Sequence, residues 1–305
     1  MNKQILVIIG GRGIGDLIYH LPLLRSIYKT YNQKILILSN KVNKAPEVYK
    51  NETFYKKIIS FDNNRCNIFQ TFKKIIIFKN KINKLRPSLI FLTSNTKRLL
   101  FPVLLSNSNE KKIMGIGKFY FNKDASTKNL TVSERIMRFT NSLNLQKKDR
   151  SFFLKIKKNE NKVLSLNNIF INIDSHHDQN NWDINNYIII IKKLMNKYKI
   201  FINFSPSKTH LVKSFPKEIF NSKNIIFTNK KNISDLIKII NSCKTIIGNE
   251  SGPICLAASL KKKVHALYIP KHTKPESSII NPNSYYYNVD KIPSKKIISK
   301  ILNSI

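Results

Sequence analysis

From residue 4 to residue 116, and again from residue 169 to residue 302, short apolar runs of strand length alternate with longer amphipathic stretches. Strands separated by helices need crossover connections, so this alternation dictates parallel sheets covered by helices on both faces. In the first half the spacing predicts strands over 4–9, 34–39, 58–61, 88–93 and 112–116, with helices over 17–31, 67–85, 96–105 and 131–143. In the second half it predicts strands over 169–173, 200–204, 224–227, 245–247 and 264–268, and helices over 184–198, 233–241 and 254–260. A closing helix over 294–302 can dock on either half. The lysine-rich segment 146–162, apolar only at 152–156, breaks the pattern and reads as a linker. The expected architecture is therefore α/β, two doubly wound parallel-sheet domains over 1–150 and 151–305. Their carboxyl edges are expected to face a central cleft, the default ligand site.

With 305 residues, each half is long enough to bury its own core. No apolar run approaches the roughly 18 residues that span a bilayer, so a soluble protein is expected. The apolar start of the chain is too short for a signal peptide and is shaped like a first strand. Cys66, Cys243 and Cys255 are odd in number and widely spaced, so neither a disulfide framework nor a zinc ribbon is indicated. A reducing cytoplasm is the compartment expected from this cysteine usage. Asp174, His176, His177 and Asp178 form a His/carboxylate cluster, but no second pair with ligand spacing accompanies it, and no metal is expected. The net charge of +37 suggests an anionic partner. The excess is nearly all lysine interleaved with Asn and Ile, and no arginine follows Arg150. Nucleic-acid readers lean on arginine, so the charge reads mainly as the residue usage of an AT-rich genome, and no nucleic-acid partner is expected.

Two turns stand out. The strand over 4–9 runs into GGRGIGD and a helix, but the spacing is not GxGxxG. The second strand ends in Ser39 and Asn40, without the acid that would hold a ribose, which argues against a nicotinamide enzyme. Asp16 is the sole acid in the first 46 residues. It reads either as a first-turn acid favoured by the helix dipole or as a general base. The second turn lies in TIIGNESGPICLAASLKKKVHALYIP, residues 245–270, a strand, a Gly-Pro turn, a small-residue helix and a strand. Ser251 is placed to cap the helix that Pro253 opens, and the N–H groups of Ile254 and Cys255 would then be free to meet a phosphate. Trp182 reads as a packing residue. The helix over 67–85 places Ile68, Phe72, Ile75, Ile76, Ile82 and Leu85 at helical spacing among Lys73, Lys74, Lys79, Lys81 and Lys84. It reads first as a sheet-covering helix, and second as a helix for an anionic membrane surface.

Three segments, in order, resemble glycosyltransferase family nine, the ADP-heptose:lipopolysaccharide heptosyltransferases. They are ILVIIGGRGIGDLIYHLPLLRSIYKTY, DSHHDQNNWDINNYIIIIKKL and KNISDLIKIINSCKTIIGNESGPICLAASLKKKVHALYIP. The resemblance implies a GT-B fold with an acceptor-binding first domain and a nucleotide-sugar-binding second domain. It implies inverting transfer of a heptose-like sugar from an ADP-sugar to a lipopolysaccharide-core or other anionic glycan acceptor, with no cofactor and no metal. Peripheral contact with the inner membrane would suit such an acceptor. By the same resemblance Asp16 matches the catalytic base, Arg12 and Gly13 approach the sugar nucleotide, and Ser175 and His176 contact the diphosphate. Ser251 and Gly252 match the Thr-Gly of the family's Asp-Thr-Gly turn, and Lys231 lies near the nucleotide.

The sequence departs from that pattern at three positions: Asn180 replaces a phosphate-contacting lysine, Glu250 the turn's aspartate, and Cys255 a histidine. Losing a lysine opposite a leaving diphosphate removes a charge-assisted contact. Lys208 and Lys271, in loops at the same expected sheet edge, are candidate substitute cations. The competing reading is a non-catalytic sugar-nucleotide or glycan-binding protein with a degenerate phosphate site. Asn180 and Cys255 favour it, and retention of Asp16 opposes it.

Overall fold

The computed structural model describes residues 4–11, 13–62, 67–94, 96–107, 112–115, 130–156, 167–175, 178–229, 231–270 and 277–305. The chain divides into two compact units, Met1–Phe152 and Phe153–Ile305.

The first unit is built on β1 (Ile5–Ile8), β2 (Ile35–Asn40), β3 (Tyr55–Phe61), β4 (Leu89–Leu92) and β5 (Lys112–Gly115). All pairings are parallel, in the spatial order β3-β2-β1-β4-β5. The helices are α1 (Ile14–Tyr31), the short α2 (Ala45–Val48), α3 (Ile68–Leu85), α4 (Lys97–Leu104) and α5 (Val132–Ser142). The central strands β1, β2 and β4 are dry on both faces. Leu6, Ile8, Leu36, Leu38, Ile90 and Leu92 pack under α3 and α4 through Phe78, Ile82, Leu99 and Val103, while the residues of opposite parity, Ile5, Val7, Ile37 and Phe91, are equally buried. A run apolar at every position is what a strand covered on both sides requires.

The second unit carries β6 (Asn168–Asn172), β7 (Lys199–Asn203), β8 (Ile225–Phe227), β9 (Thr245–Asn249), β10 (Val264–Tyr268) and β11 (Tyr285–Asn288). The order is β11-β10-β9-β6-β7-β8, again all parallel. Its helices are α6 (Ile184–Leu194), α7 (Lys217–Phe220), α8 (Ile233–Ser242), α9 (Gly252–Ser259), α10 (Ser277–Ile280) and α11 (Ser294–Asn303). In both units the strand order reverses beside the first strand, between β1 and β4 and between β6 and β9. The crevice at such a switch point, outside the carboxyl ends of the strands, is where doubly wound sheets bind ligands. These two parallel-sheet units make the fold GT-B-like.

The structure refines several expectations from sequence. The boundary between the units falls inside 146–162, the segment read as a linker, and residues 146–152 belong to the first unit. They are strapped along α1, with Asp149 taking a 2.6 Å bond from Lys29 Nζ and Asp149 N–H donating to Ser26 Oγ at 2.8 Å. Arg25, nearly buried, donates to the Ser151 carbonyl at 3.1 Å while it pairs with buried Glu52 at 2.7 Å. The closing helix α11 has one address, burying Ile297, Ile298 and Ile301 in the core of the second unit against α6. On α3 the inward face is carried by Phe78 and Ile82, whereas Phe72 and Ile76, read as part of that face, point to solvent. Among the described residues no helix is long and apolar enough to cross a membrane.

One buried group ties the stability of the second unit to pH. His265 on β10 lies stacked with Tyr285 and Tyr287, with Nδ1 at 3.0 Å from the Tyr287 hydroxyl and Nε2 at 3.1 Å from Ser304 Oγ. Burial, helped by nearby Lys263, lowers its pKa from 6.5 to about 4. As pH falls through 6.5 the unfolded chain gains a proton at this site that the folded chain refuses until about pH 4, so stability is lost across that window. The expected loss is on the order of 3 kcal/mol. Thermal melts between pH 6.5 and 5 should show a shallower decline for His265→Phe than for the wild type.

Candidate functional site

In the first unit, β1 delivers the chain at the switch point into Gly10, Gly11 and the start of α1. Asp16 occupies the third position of that helix and accepts a 2.8 Å bond from the Gly13 N–H through Oδ2. Gly13 itself is the N-cap residue, in extended backbone. The first-turn role and a catalytic role are compatible here, since the N–H bond fixes the carboxylate in place. Gly11 is required by the same group: a Cβ there would fall 2.1 Å from Asp16 Cγ. Arg12 lies outside the described residues.

Two residues not singled out from sequence hold this turn. His20, one helical turn beyond Asp16, is buried, with Nδ1 at 2.5 Å from the Asp16 carbonyl and Nε2 at 2.7 Å from Thr93 Oγ1. A carbonyl only accepts, so Nδ1 carries the proton and Nε2 accepts, sharing the one Thr93 hydroxyl hydrogen with the Ile8 carbonyl 3.1 Å away. Burial pushes the His20 pKa down, which favours this neutral form. Thr93, just after β4, also accepts from Gly10 N–H at 3.3 Å. His20 and Thr93 thus clamp the glycine loop to the start of α1 across the β1–β4 switch point.

In the second unit, the loops after β6 and β9 meet through buried amides. Asn172 Nδ2 donates to Ser251 Oγ at 3.0 Å, and Asn203 Nδ2 donates to Asn172 Oδ1 at 2.7 Å. Gly248 permits this approach, because a Cβ there would sit 2.4 Å from the Asn172 carbonyl oxygen. Ser251 is the N-cap residue of α9, but its hydroxyl does not cap the helix. It donates to the Asn249 carbonyl at 2.8 Å instead. The Cys255 N–H, expected to be free, donates to the Ser251 carbonyl at 3.0 Å. Pro253 has no N–H, so Gly252 and Ile254 supply the N–H groups of the first turn that have no intrahelical acceptor.

Ser175 is buried, and its N–H is committed to Asn181 Oδ1 at 2.7 Å. Asn180 closes a 3-10 turn, Asp178–Asn180, and its buried Oδ1 has no hydrogen-bond partner. Lys208 reaches the same loop. Its ammonium pairs with buried Asp174, lies 2.6 Å from Asp178 Oδ1 and donates to the Ser175 carbonyl at 3.0 Å. These two carboxylates raise the Lys208 pKa against the opposing effect of burial. A substitute-cation role for Lys208 would have to compete with this ion pair. Lys231 is exposed at the start of α8, three strands away from β9 across the sheet. His176 and Lys271 lie outside the described residues. Trp182 packs in the core, edge-on to Tyr187 at 5.2 Å. Among the described residues no His/Cys/Asp/Glu group has the makings of a metal site.

Residues 118–292, more than half of the chain, match the family model of Glycosyltransferase family 9 (heptosyltransferase). The chain belongs to that family. No curated protein matches the sequence. Among solved structures, a glycosyl transferase family 9 protein from Veillonella parvula DSM 2008 is similar with a TM-score of 0.76 and 16% identity, over 99% of this chain and 90% of that one. E. coli ADP-heptose lps heptosyltransferase II gives 0.72 and 16%, over 98% of each chain. E. coli heptosyltransferase WaaC with ADP gives 0.66 and 12%, over 99% of this chain and 100% of that one. At such identities these structures speak for the fold.

In this family 9 glycosyltransferase, two of the three sequence departures touch each other. Glu250, buried after β9, accepts from the Ser277 hydroxyl at 2.5 Å and the Ser277 N–H at 3.0 Å. Cys255 Sγ lies 3.6 Å from the same carboxylate. The longer acid reaches α10, and the small thiol leaves it room to do so.

The Asp174–Lys208 pair yields a prediction. Lys208→Met leaves Asp174 buried without its counter-charge and should destabilise the fold by about 3–5 kcal/mol in chemical denaturation. Adding Asp174→Asn should recover much of that loss.

Proposed function

We propose that this glycosyltransferase moves a heptose-like sugar from an ADP-sugar to the core of lipopolysaccharide or a related anionic glycan, with inversion at the anomeric carbon. Asp16 takes the proton of the acceptor hydroxyl as its oxygen attacks, and the nucleoside diphosphate departs from the opposite face, so a single displacement inverts the centre. The first unit accordingly receives the acceptor and the second the nucleotide. Charge developing on the departing diphosphate is met by the first-turn N–H groups of α9, after Ser251 and Gly252, with Arg12, Ser175, His176 and Lys231 contributing around the nucleotide. No metal is needed in this scheme.

The observation that carries the reading is the fixed carboxylate of Asp16 at a switch point, in a chain whose family is that of the heptosyltransferases. The donor class is supported by the relatives of like fold, among them WaaC with ADP-2-deoxy-2-fluoro heptose. Asp16→Asn should lower transfer by about two to four orders of magnitude, with nucleotide affinity by calorimetry nearly unchanged. An equal loss of nucleotide binding would assign Asp16 to the donor instead.

Asn180 offers a second measurement. Its unpartnered buried oxygen stands where the family resemblance places a lysine. Asn180→Lys should strengthen ADP binding by about 1–3 kcal/mol, the scale of a hydrogen bond to a charged group. A tight wild type with no gain from lysine would show that another cation, Lys208 or Lys271, already serves the diphosphate.

A further inference from the structure

Helix α3 is apolar on two faces. The inner one, with Phe78 and Ile82, closes the core of the first unit. The outer one carries Phe69, Phe72, Ile76 and Ile77, which are 83%, 62%, 56% and 47% exposed. A helix that only covers a sheet presents polar side chains outward. Here Phe69, Phe72 and Ile76 fall within about 60° of arc, with lysines on both sides of the stripe. Lys79 lies on one side, and Lys73 and Lys84 on the other. The helix holds five lysines and no acid.

The neighbouring α4 adds exposed Phe101, and Leu105 just past its end is exposed too. Beside these helices opens a cavity of about 250 Å³, lined by Ile75, Phe78 and Leu99 together with Lys74, Lys81 and Arg98. A single acid, Asp62, shares the lining and pairs with Lys74 at 2.9 Å. Large apolar side chains between flexible cations are the make-up of a helix lying in a lipid interface. The rings enter the headgroup layer while lysine stems reach back to anionic headgroups. A second copy of this chain would bring lysines against lysines on the same face, so charge selects an anionic surface over self-association.

We propose that the outer face of α3, with α4 beside it, docks on a bilayer bearing anionic phospholipids and inserts Phe69, Phe72 and Ile76 among the headgroups. The proposal is independent of the role of Asp16, since it is measured by binding alone. The experiment is sedimentation of the full chain with vesicles of phosphatidylcholine, alone or mixed with phosphatidylglycerol, at physiological salt. Binding to the mixed vesicles should weaken by at least about tenfold in Phe69→Ser/Phe72→Ser/Ile76→Ser, whose charge and melting temperature match the wild type. Removing three exposed lysines of the second unit, by Lys193→Gln/Lys217→Gln/Lys223→Gln, should change it little. A Phe72→Trp variant should show blue-shifted emission with mixed vesicles and quenching by brominated lipid. The proposal is overturned if the serine variant binds like the wild type, since charge alone then suffices. It is equally overturned if the wild type ignores vesicles, if the indole emission of the Phe72→Trp variant does not shift, or if the serine changes dissociate a dimer of the wild type.

Discussion

Asn249 is wholly buried at the end of β9 and completes four hydrogen bonds. It accepts from the Trp182 N–H and the Tyr187 hydroxyl and donates to the Ile173 carbonyl and to Asn181 Oδ1. A polar group left unpaired at such depth costs about 1–3 kcal/mol, so the four partners are held where the amide needs them. The strands of a doubly covered sheet cannot end in water without exposing their apolar neighbours. Short buried amides therefore terminate them, as Asn172, Asn203 and Asn249 do here. The loops of the candidate site inherit their positions from this arrangement: Ser175 through Asn181, and Ser251 through Asn172. In the first unit His20 and Thr93 do the equivalent work for the turn that carries Asp16.

Glu250 and Cys255 show why residues at a site are poorly judged one at a time. Taken singly, each removes a side chain that the family resemblance would place there. In the fold they share a buried pocket with Ser277, where a longer carboxylate and a smaller neighbour are mutually fitting. Exchanging one without the other would leave either an overfilled space or an empty one, so their effects should be non-additive.

The strands and long helices were legible because burial on both faces demands unbroken apolar runs, as in ILVI of β1 and LIFL of β4. β11 was not legible, since YYYN at the sheet edge is only partly buried and has no such run. The 3-10 segment Pro206–Ser214, which carries Lys208 to Asp174, gave no periodic signal either. A candidate was visible where a lone charge interrupts glycine-rich sequence, as at Asp16. The supports were invisible, because His20, Asn249 and Ser277 resemble any other polar residue until the fold brings their partners from far along the chain. The two-faced character of α3 escaped for a related reason: helical spacing shows that apolar residues recur but does not say which of two stripes meets the sheet.

The outward stripe of α3 also bears on how this protein behaves in concentrated solution. Exposed aromatic patches attract their like, and a chain with a net charge of +37 resists that attraction by long-range repulsion. The repulsion reaches only about 8–10 Å at ordinary ionic strength and shrinks as salt is added, whereas the apolar attraction does not. The lysine excess, whatever its origin in coding bias, thereby acts as a colloidal stabiliser. It lets a folded surface stay greasy enough for an interface while the molecules carrying it remain dispersed.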